Sequence, residues 1–377
     1  MKVALVHDWL TGTRGGEKVL LSLARLFPEA PLYTLFHFPG SVPPEIEDRP
    51  LRTTWLQRVV SRGRDYRTLL PLYFLAAESW DFAGFDLVIS SSHCVAKAAR
   101  RGPGSFHLCY CHTPVRYLHD QFEDYVRGRG RLARAAARLV RAPLRARDVA
   151  TVPRVDAFLA NSENVRERIA RLYGRDSRVV PAPADTAFYA PAPSPTRREG
   201  LLVVSALAPY KRLDDALEAS ARLGLALTIA GFGPEERRLR ARAGPTVRFA
   251  GSPSDGELRD LYRSAELVLM PGEEDFGIVP LEAQACGTPV VALGKGGALE
   301  TVVDGVTGVL YGEAGPGPLA RAIELARTLP FDTAVLVENA RRFSESAFRV
   351  RFLDAARAAL AESGHDDLAR ALPGAHP

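Results

Sequence analysis

The chain has 377 residues, which is too long for one ordinary domain and predicts two. Its residues are 46% hydrophobic and 25% charged, the profile of a soluble globular protein, and its formal charge is only +5. No segment reaches the roughly 18 uncharged apolar residues of a membrane-spanning helix, residues 1–8 are too briefly apolar for a signal peptide, and four cysteines exclude a disulfide framework. The sequence therefore predicts a cytoplasmic protein.

The first domain opens with a predicted strand over 2–7, a glycine-bearing loop over 8–15 and a helix over 16–26. This order is typical of a doubly wound α/β domain. The loop glycines lack the spacing of a dinucleotide-binding fingerprint, so a tight turn and a ligand-binding loop are both open interpretations. The apolar and aromatic stretch 51–80 predicts helices that line one wall of this domain.

A further strand is predicted over 107–112, and it ends at His112. Its histidines and cysteines invite a metal site, but strand alternation places His107 and both cysteines on one face and His112 on the other. No second Cys or His cluster lies nearby in sequence, and no C-x-x-C occurs. The pattern therefore disfavours a metal site at this strand.

A cluster of arginines follows, with no acid from 126 through 146. A solvated helix face is the simpler interpretation, with a kink or interruption expected at Pro143. The more specific interpretation is a surface that contacts anionic lipid head groups. Nucleic acid is disfavoured because aromatic residues do not interleave with the basic ones. The cluster consists of Arg127, Arg129, Arg131, Arg134, Arg138, Arg141, Arg145 and Arg147.

The Pro- and Ala-rich stretch 190–196 is the clearest candidate linker. After it, residues 201–205 restart the strand–loop–helix pattern, and Lys211 and Arg212 fall in the predicted first turn of the helix. A cation is unfavourable at a helix N-terminus unless an anion offsets it, so this pair favours a bound phosphate over a merely charged surface.

The residues after 200 do not carry the sequence motifs of two common nucleotide sites, the NAD-binding fingerprint and the P-loop. The fragment Gly231-x-Gly233 has no third glycine, and no acid ends the strand at 247–250 to bind the ribose of NAD. The glycine-rich turn at 294–297 lacks the Ser or Thr of a P-loop, so ATP is not indicated either.

The most informative stretch joins an apolar run at 267–270 to a helix expected to begin at Pro280. A helix N-terminus offers unpaired N–H groups and a partial positive charge, which suit an anion. Glu274 and Glu282 bracket this position, and carboxylates repel phosphate but accept hydrogen bonds from hydroxyl groups. A phosphate site beside hydroxyl-binding carboxylates predicts a sugar nucleotide.

Glu274 and Glu282, with seven residues between them and Gly287-Thr288-Pro289-Val290-Val291 after them, resemble the E-x7-E signature of the retaining family-4 glycosyltransferases. The resemblance implies an α/β GT-B fold, in which two Rossmann-like doubly wound domains face each other across a cleft and a C-terminal helix crosses back to the N-domain. The implied segments are an acceptor-binding domain over 1–188, a linker over 189–200, a donor-binding domain over 201–350, and a terminal helix with a frayed tail over 351–377.

The resemblance also implies the site residues. His112 matches the family histidine that faces the donor sugar, and Glu274 and Lys211 complete the catalytic set. The family's diphosphate-binding arginine falls on Ala206, a departure for which Arg212 is the candidate replacement. The residues expected to bind the donor are Gly15, Gly16, Lys211, Arg212, Gly251, Ser252, Phe276, Gly277, Ile278, Val279 and Glu282. Those expected to meet the acceptor are Arg116, Tyr117 and His119.

Together these features predict a retaining hexosyltransferase that needs no metal and no cofactor and acts on a glycan or lipid-linked glycan. Segments 14–18 and 208–212 look most like bacterial mannosyltransferases of polysaccharide biosynthesis, which favours GDP-mannose as donor. UDP-glucose or a UDP-linked amino sugar is the alternative donor. A sugar-nucleotide epimerase and a non-catalytic nucleotide-sugar binder are the alternative functions. A peripheral contact with the inner face of the membrane is expected through 127–147.

Overall fold

The computed structural model describes residues 1–60, 66–120, 122–123, 130–194 and 197–374. It divides into two compact units, unit 1 with Met1–Pro183 and Phe348–Pro377, and unit 2 with Ala184–Ala347. Arg127 and Arg129 lie outside the described residues. Within the part of the chain that is described, no helix combines the length and the apolar character that a membrane span requires.

In the described residues, unit 1 is built on a sheet of seven parallel strands. They are β1 (Val3–His7), β2 (Leu32–Thr34), β3 (Leu51–Thr53), β4 (Leu87–Ser92), β5 (Phe106–Cys111), β6 (Ala157–Ala160) and β7 (Ser177–Val179). Their order in the sheet is β3-β2-β1-β4-β5-β6-β7. Every residue of β4 and β5 is buried, as expected of central parallel strands that are covered on both faces.

The helices of unit 1 before the division are α1 (Gly15–Leu26), α2 (Pro44–Glu47), α3 (Leu70–Ala77), α4 (Arg131–Ala150) and α5 (Glu163–Tyr173). The side chain of Ser162 accepts a hydrogen bond from the Val165 N–H at 3.0 Å and so caps the N-terminus of α5. Pro143 lies inside α4, which is not interrupted there. The stretch predicted as purely helical contains β3, which pairs with β2.

Unit 2 has six parallel strands. They are β8 (Leu201–Val204), β9 (Leu227–Ala230), β10 (Val247–Gly251), β11 (Leu267–Met270), β12 (Val290–Leu293) and β13 (Gly308–Tyr311), in the order β10-β9-β8-β11-β12-β13. Its helices are α6 (Leu213–Leu223), α7 (Glu236–Arg242), α8 (Asp255–Ser264), α9 (Ile278–Ala285), α10 (Ala298–Thr301), α11 (Pro316–Thr328) and α12 (Thr333–Arg341). This is the strand order of a Rossmann sheet.

The division between the units lies at residues 183 and 184, before the predicted linker over 189–200. The reason is that the Pro- and Ala-rich stretch packs on unit 2. Arg263 donates hydrogen bonds to the carbonyl oxygens of Ala190 and Pro191, and Tyr189 is 2% exposed with its ring 5.7 Å from that of Tyr262.

The chain returns to unit 1 through α13 (Glu345–Glu362), followed by α14 (Asp366–Ala371). Phe348, Phe352 and Ala356 follow each other at helical spacing and are fully buried, so they form an apolar stripe on one face of α13. The ring of Phe348 lies 5.8 Å from that of Tyr110 on β5. The predicted return of the last helix to the N-terminal domain is therefore confirmed.

Candidate functional site

The strand order reverses at one point in each sheet, between β1 and β4 in unit 1 and between β8 and β11 in unit 2. Open α/β sheets bind ligands beyond the carboxyl ends of their strands at such a reversal. The carboxyl edge of each sheet carries residues that the sequence singles out: His112 follows β5, and Lys211 and Glu274 follow β8 and β11.

In unit 2, the ammonium of Lys211 forms an ion pair with Glu274 Oε1. The two side chains are 11% and 22% exposed, so the pair is accessible from one side. Lys211 ends a 3₁₀ turn over Pro209–Lys211, and α6 begins only at Leu213. The prediction that Lys211 lies in the first turn of the helix is therefore wrong, and Glu274 balances its charge in this structure.

Glycines hold the two partners of this pair close together. A side chain at Gly272 would come within 2.8 Å of Lys211 Cα, so only glycine allows the loop after β11 to lie against the 3₁₀ turn. On the other side, the N–H of Gly297 donates to the carbonyl oxygen of Glu274 at 2.9 Å, and a side chain at Gly296 would collide with the same oxygen. The glycine-rich turn at 294–297 thus supports the Glu274 loop.

The N-terminus of α9 follows directly. Gly277 is its N-cap at φ 89°, and Ile278 and Val279 begin the helix, two residues before the predicted start at Pro280. Because the first N–H groups of a helix have no intrahelical partner, they are available to an anion. The Phe276 side chain is 5% exposed and packs on Phe343 with 5.8 Å between ring centroids, so its contribution to a donor site would come from its backbone.

Glu282, which is predicted to bind the donor, is buried. The residue is 2% exposed, and its Oε2 accepts a hydrogen bond from the Tyr262 hydroxyl at 2.8 Å. Burial, reinforced by the Glu282 charge, holds the pKa of Tyr262 well above its usual value, so this hydroxyl stays a donor. The ribose contact of Glu282 stays a prediction, and any ribose would share this carboxylate with Tyr262.

Arg212 has an unusual backbone. Its φ is 55°, and among the described residues it is the one non-glycine with a positive φ. It occupies the N-cap of α6, and its Nε donates to Asp215 Oδ2 at 2.8 Å. Ala206, where the family's arginine would fall, is exposed in the same loop. The proposed replacement of that arginine by Arg212 stays a prediction.

Gly251 and Ser252 lie at the end of β10. Gly251 has φ 65°, and its carbonyl oxygen accepts a hydrogen bond from the Gly231 N–H at 2.6 Å. A side chain at Gly231 would collide with the carbonyl oxygen of Ser205. The Gly231-x-Gly233 fragment therefore serves close backbone packing at the edge of the sheet.

In unit 1, the ring of His112 contacts Ser91, which in turn contacts His7. Its Nε2 lies 2.8 Å from Ser91 Oγ, and Ser91 Oγ lies 3.1 Å from His7 Nδ1. Burial and the nearby rings of His93 and His7 hold the pKa of His112 well below its usual value, so the ring is neutral at pH 7. A neutral imidazole can bind a sugar hydroxyl without adding positive charge to the site.

Gly15 and Gly16 form the first turn of α1 and do not lie in the preceding loop. A side-chain carbon at Gly16 would lie 3.5 Å from His7 Cε1 and 3.8 Å from His112 Nε2, so this turn packs against both rings. Their N–H groups belong to a helix N-terminus, which is compatible with the predicted diphosphate contact.

Asp8 is a residue whose importance the sequence analysis missed. It is fully buried, and its two carboxylate oxygens accept hydrogen bonds from the N–H groups of four consecutive residues, 93–96, at 2.5 to 3.0 Å. Asp8 therefore fixes the loop after β4, in which His93 lies. The available signal was an acid directly after a buried strand, at the point where parallel sheets bind ligands.

The three predicted acceptor residues lie in different environments. His119 has a fully buried side chain, and its Nε2 pairs with Asp148 Oδ2 at 2.8 Å beside Lys97. In this structure His119 belongs to a buried network with Asp148 and Lys97, and its contact with an acceptor stays a prediction. Tyr117 donates to or accepts from Cys94 Sγ at 2.8 Å, and Arg116 is partly exposed, so both roles stay predictions.

The arginine-rich helix α4 exposes apolar residues as well as charges. Leu132 is 88% exposed and Leu139 is 79% exposed, one helical heptad apart. Arg141 donates to the carbonyl oxygens of Leu118 and His119, so part of the cluster is structural.

Among the residues that the structure describes, no group of three or more His, Cys, Asp or Glu side chains is arranged to hold a metal ion.

Comparison with known proteins identifies the class. Two solved structures share the whole fold at low identity. Sucrose-phosphate synthase from Thermosynechococcus elongatus has a TM-score of 0.75 at 19% identity over 96% of this chain and 100% of that chain. HepE from Anabaena, in complex with UDP, has a TM-score of 0.70 at 20% identity over 95% and 100%. Both likenesses, with the two parallel sheets, define a GT-B glycosyltransferase fold.

Two family models divide the chain between them. Residues 13–188 match the model described as "Glycosyltransferase Family 4", and residues 187–347 match "Glycosyl transferases group 1". The chain belongs to glycosyltransferase family 4, which confirms the resemblance drawn from the E-x7-E stretch.

Curated relatives agree with this membership. "D-inositol 3-phosphate glycosyltransferase 2" of Catenulispora acidiphila is 33% identical over 234 residues, 52% of this chain and 54% of that protein. The D-inositol 3-phosphate glycosyltransferase of Acidothermus cellulolyticus is 36% identical over 205 residues, 46% of each. The chain therefore spans about half the length of the curated relatives it matches.

Proposed function

We propose that the protein transfers a hexosyl group from a nucleotide diphosphate sugar to a glycan or lipid-linked glycan, with retention of anomeric configuration and without a metal ion. The observation that carries this proposal is the Lys211–Glu274 ion pair at the carboxyl edge of the unit 2 sheet. It sets a cation suited to a diphosphate beside a carboxylate suited to sugar hydroxyls, on the loop that leads into α9.

The chemistry requires such a pair to separate. Breaking the anomeric C–O bond leaves a diphosphate, and fixed N–H donors and cations stabilise the negative charge that grows on it. The cation is Lys211, and the donors are the N–H groups of Ile278 and Val279. When the diphosphate takes the ammonium of Lys211, the oxygens of Glu274 become acceptors for sugar hydroxyls. Donor binding thus exchanges one internal ion pair for two contacts with the ligand.

Retention is proposed from the family mechanism. In a front-face route the leaving phosphate helps to deprotonate the acceptor hydroxyl, which then attacks from the side that the phosphate leaves. No protein nucleophile takes part. In this proposal His112 accepts a hydrogen bond from a hydroxyl of the transferred sugar.

The proposed donor is GDP-mannose, which the segments 14–18 and 208–212 favour. The decisive experiment is a thermal-shift panel of GDP-mannose, UDP-glucose and UDP-N-acetylglucosamine, because a ligand that binds only the folded chain raises its melting temperature. We expect the largest shift with GDP-mannose. A larger shift with UDP-glucose, the ligand named for one solved structure of HepE, would replace mannose by glucose. No shift with any sugar nucleotide would overturn the proposed function.

Product analysis tests the reaction itself. We expect transfer with retained configuration and unchanged turnover in EDTA, together with slow donor hydrolysis when no acceptor is present. An epimerised sugar nucleotide would indicate an epimerase, and the absence of any turnover would indicate a binding protein. The acceptor panel includes D-inositol 3-phosphate, because the names of the curated relatives specify it.

The lipid-linked acceptor is proposed from the surface of α4, where Leu132 and Leu139 project beside arginines. We expect the protein to float with vesicles that contain phosphatidylglycerol and not with pure phosphatidylcholine vesicles. The double variant Leu132→Ser, Leu139→Ser should lose flotation. Leu325→Ser, on an exposed leucine of α11 that is 52% accessible, is the matched control and should float like the wild type. Equal flotation of all three would overturn the membrane contact.

A further inference from the structure

A chain of polar contacts runs through unit 1 from Glu17 to His112. Glu17 Oε1 lies 3.8 Å from His7 Nε2, His7 Nδ1 lies 3.1 Å from Ser91 Oγ, and Ser91 Oγ lies 2.8 Å from His112 Nε2. Glu17 is 5% exposed, and His7 and Ser91 are fully buried. The chain of contacts begins at a buried carboxylate and ends at a ring that is partly exposed, so it connects the interior with the edge of the sheet.

The Glu17 carboxylate fixes which atom donates and which accepts in each of these contacts. Burial by itself would raise the pKa of Glu17, but the N–H groups that face its carboxylate, from the His7 ring and from the backbone, hold that pKa below the usual value, so the group is ionised. An ionised carboxylate accepts hydrogen bonds and cannot donate. Among the described residues, His7 Nε2 has no hydrogen-bond partner, and the acceptor that faces it is Glu17 Oε1. The proton of His7 therefore belongs on Nε2.

The proton positions on Ser91 and His112 follow from which of their atoms can donate and which can accept a hydrogen bond. With its proton on Nε2, His7 presents Nδ1 as an acceptor, and the Ser91 hydroxyl donates to it. Ser91 Oγ then has only acceptor capacity left for His112, so His112 donates from Nε2–H. The remaining nitrogen of His112, Nδ1, keeps its lone pair. Within the described part of the chain, no protein group satisfies that nitrogen.

A second Ser–His pair on the same strands has the opposite arrangement. Ser90 Oγ lies 2.8 Å from His107 Nε2, and His107 Nδ1 lies 3.1 Å from the carbonyl oxygen of Arg154. A carbonyl oxygen only accepts, so His107 carries its proton on Nδ1 and accepts from Ser90 at Nε2. His107 is fully buried and satisfied at both nitrogens, whereas His112 has one nitrogen left over. The Ser90–His107 pair is therefore fully hydrogen-bonded within the protein, whereas the Ser91–His112 pair leaves one ring nitrogen available to a ligand.

We propose that Glu17, acting through His7 and Ser91, fixes the Nε2–H tautomer of His112 and so makes its Nδ1 a hydrogen-bond acceptor for a hydroxyl of the bound sugar. This inference rests on the proposed function for the identity of the hydroxyl, but the tautomer itself is a property of the free protein. Glu17, His7 and Ser91 are positioning residues. They determine whether the ring of His112 accepts from a ligand or donates to it.

One substitution should reverse the chain of hydrogen bonds. Glu17 Oε2 accepts from the Arg14 N–H at 3.0 Å, so in Glu17→Gln the amide oxygen should keep that contact and the amide NH₂ should turn to His7. His7 Nε2 would then accept, His7 Nδ1–H would donate to Ser91, and Ser91 would donate to His112 Nε2. The proton of His112 would move to Nδ1, which converts its free nitrogen from an acceptor to a donor.

The test is the side-chain ¹⁵N spectrum of protein labelled with ¹⁵N-histidine, which distinguishes a protonated ring nitrogen from an unprotonated one. The chain has eight histidines, and His112→Gln and His107→Gln assign the two of interest. In the wild type we expect Nε2–H for His112 and Nδ1–H for His107. Glu17→Gln should move the His112 proton to Nδ1, and Ser91→Ala should leave that ring as a mixture of tautomers.

The chain provides matched controls for both substitutions. Glu47→Gln makes the same change in another glutamate paired with a histidine, because Glu47 Oε1 lies 2.9 Å from His37 Nε2. Ser90→Ala removes the hydroxyl from the neighbouring pair. Neither control should change the His112 signals. A wild-type His112 protonated at Nδ1, or a tautomer that Glu17→Gln leaves in place, would overturn the proposal.

Kinetics connect the tautomer with function. Glu17→Gln should lower kcat about tenfold with little change in the donor KM, whereas Glu47→Gln should leave both unchanged. A reversed tautomer with unchanged kcat would overturn the functional part of the inference. If no sugar nucleotide is turned over by the wild type, the proposed function fails, and the ¹⁵N spectra still decide the tautomer.

Discussion

The two sheets follow the same pattern of strand order. The side chains at their carboxyl edges differ in their chemistry. In unit 2 the edge carries opposite charges, with Lys211 paired to Glu274. In unit 1 it carries the neutral ring of His112, joined through Ser91 to His7. A charged pair is suited to a doubly charged leaving group, and a neutral ring is suited to hydroxyl groups. The same topology thus supports two kinds of ligand contact, and the side chains at the strand ends decide which one each sheet offers.

At the carboxyl edge of the unit 1 sheet, Asp8 holds the loop after β4 through its hydrogen bonds to residues 93–96. We expect Asp8→Ala to cost about 4 kcal/mol of unfolding free energy, because four backbone N–H groups, three of them buried, lose their carboxylate acceptor. Urea unfolding measures this. Asp86→Ala is the matched control, since Asp86 accepts from the exposed Lys2 N–H at the other edge of the sheet, and we expect it to cost less than about 1 kcal/mol. Equal costs would mean that Asp8 has no special role in this edge.

At the carboxyl edge of the unit 2 sheet, Lys211 supplies a positive charge beside Glu274. Lys211→Ala should lower kcat about 100-fold, equivalent to about 2.7 kcal/mol, because Lys211 is the cation that faces the leaving diphosphate in the proposed function. Lys211→Arg should retain more activity, and Lys2→Ala, at the opposite edge of the other sheet, should have no effect on kcat. A loss below about tenfold, or 1.4 kcal/mol, is too small for stabilisation of a diphosphate and would remove this role.

Glu282 tests whether a buried carboxylate of unit 2 also meets the ligand. Glu282→Ala should weaken nucleotide binding about tenfold, equivalent to about 1.4 kcal/mol, if its oxygens accept from the ribose. Calorimetric titration with the nucleoside diphosphate measures this. Glu282→Gln keeps an acceptor for Tyr262 and separates a folding defect from a binding defect. Unchanged affinity in a folded Glu282→Ala protein would assign Glu282 to Tyr262 alone.

The neutral histidines of unit 1 should make stability depend on pH. Burial lowers the pKa of His107 to about 4, so below the ordinary value of 6.5 the unfolded chain takes up a proton that the folded chain does not. Stability is therefore lost as the pH falls from 6.5 towards 4, and His107 accounts for about 1 kcal/mol between pH 7 and pH 5.5. Urea unfolding at both pH values should show a smaller pH dependence in His107→Gln than in the wild type. An unchanged dependence would contradict this assignment.

Local patterns were enough for several of these features. The E-x7-E loop, the strand before it and the helix after it follow from an apolar run, glycines and a proline that lie within a few residues of each other. The caps at Ser162 and Ser254 are equally local, since each side chain bonds a backbone N–H three residues on. The buried stripe of α13 follows from helical spacing. In all of these, the residues that decide the structure are neighbours in the sequence.

Periodicity and glycine spacing are properties of short segments, so they predicted the two α/β sheets and drew attention to Lys211 and Glu274, while the resemblance to the family pointed to His112. The partners of these side chains depend on how the chain folds. Lys211 and Glu274 are 63 residues apart, Ser91 and His112 are 21 apart, and Asp8 meets backbone 85 to 88 residues away. Parallel strands bring their carboxyl ends to one edge whatever their separation along the chain, so the contacts made there are set by the packing of the sheet.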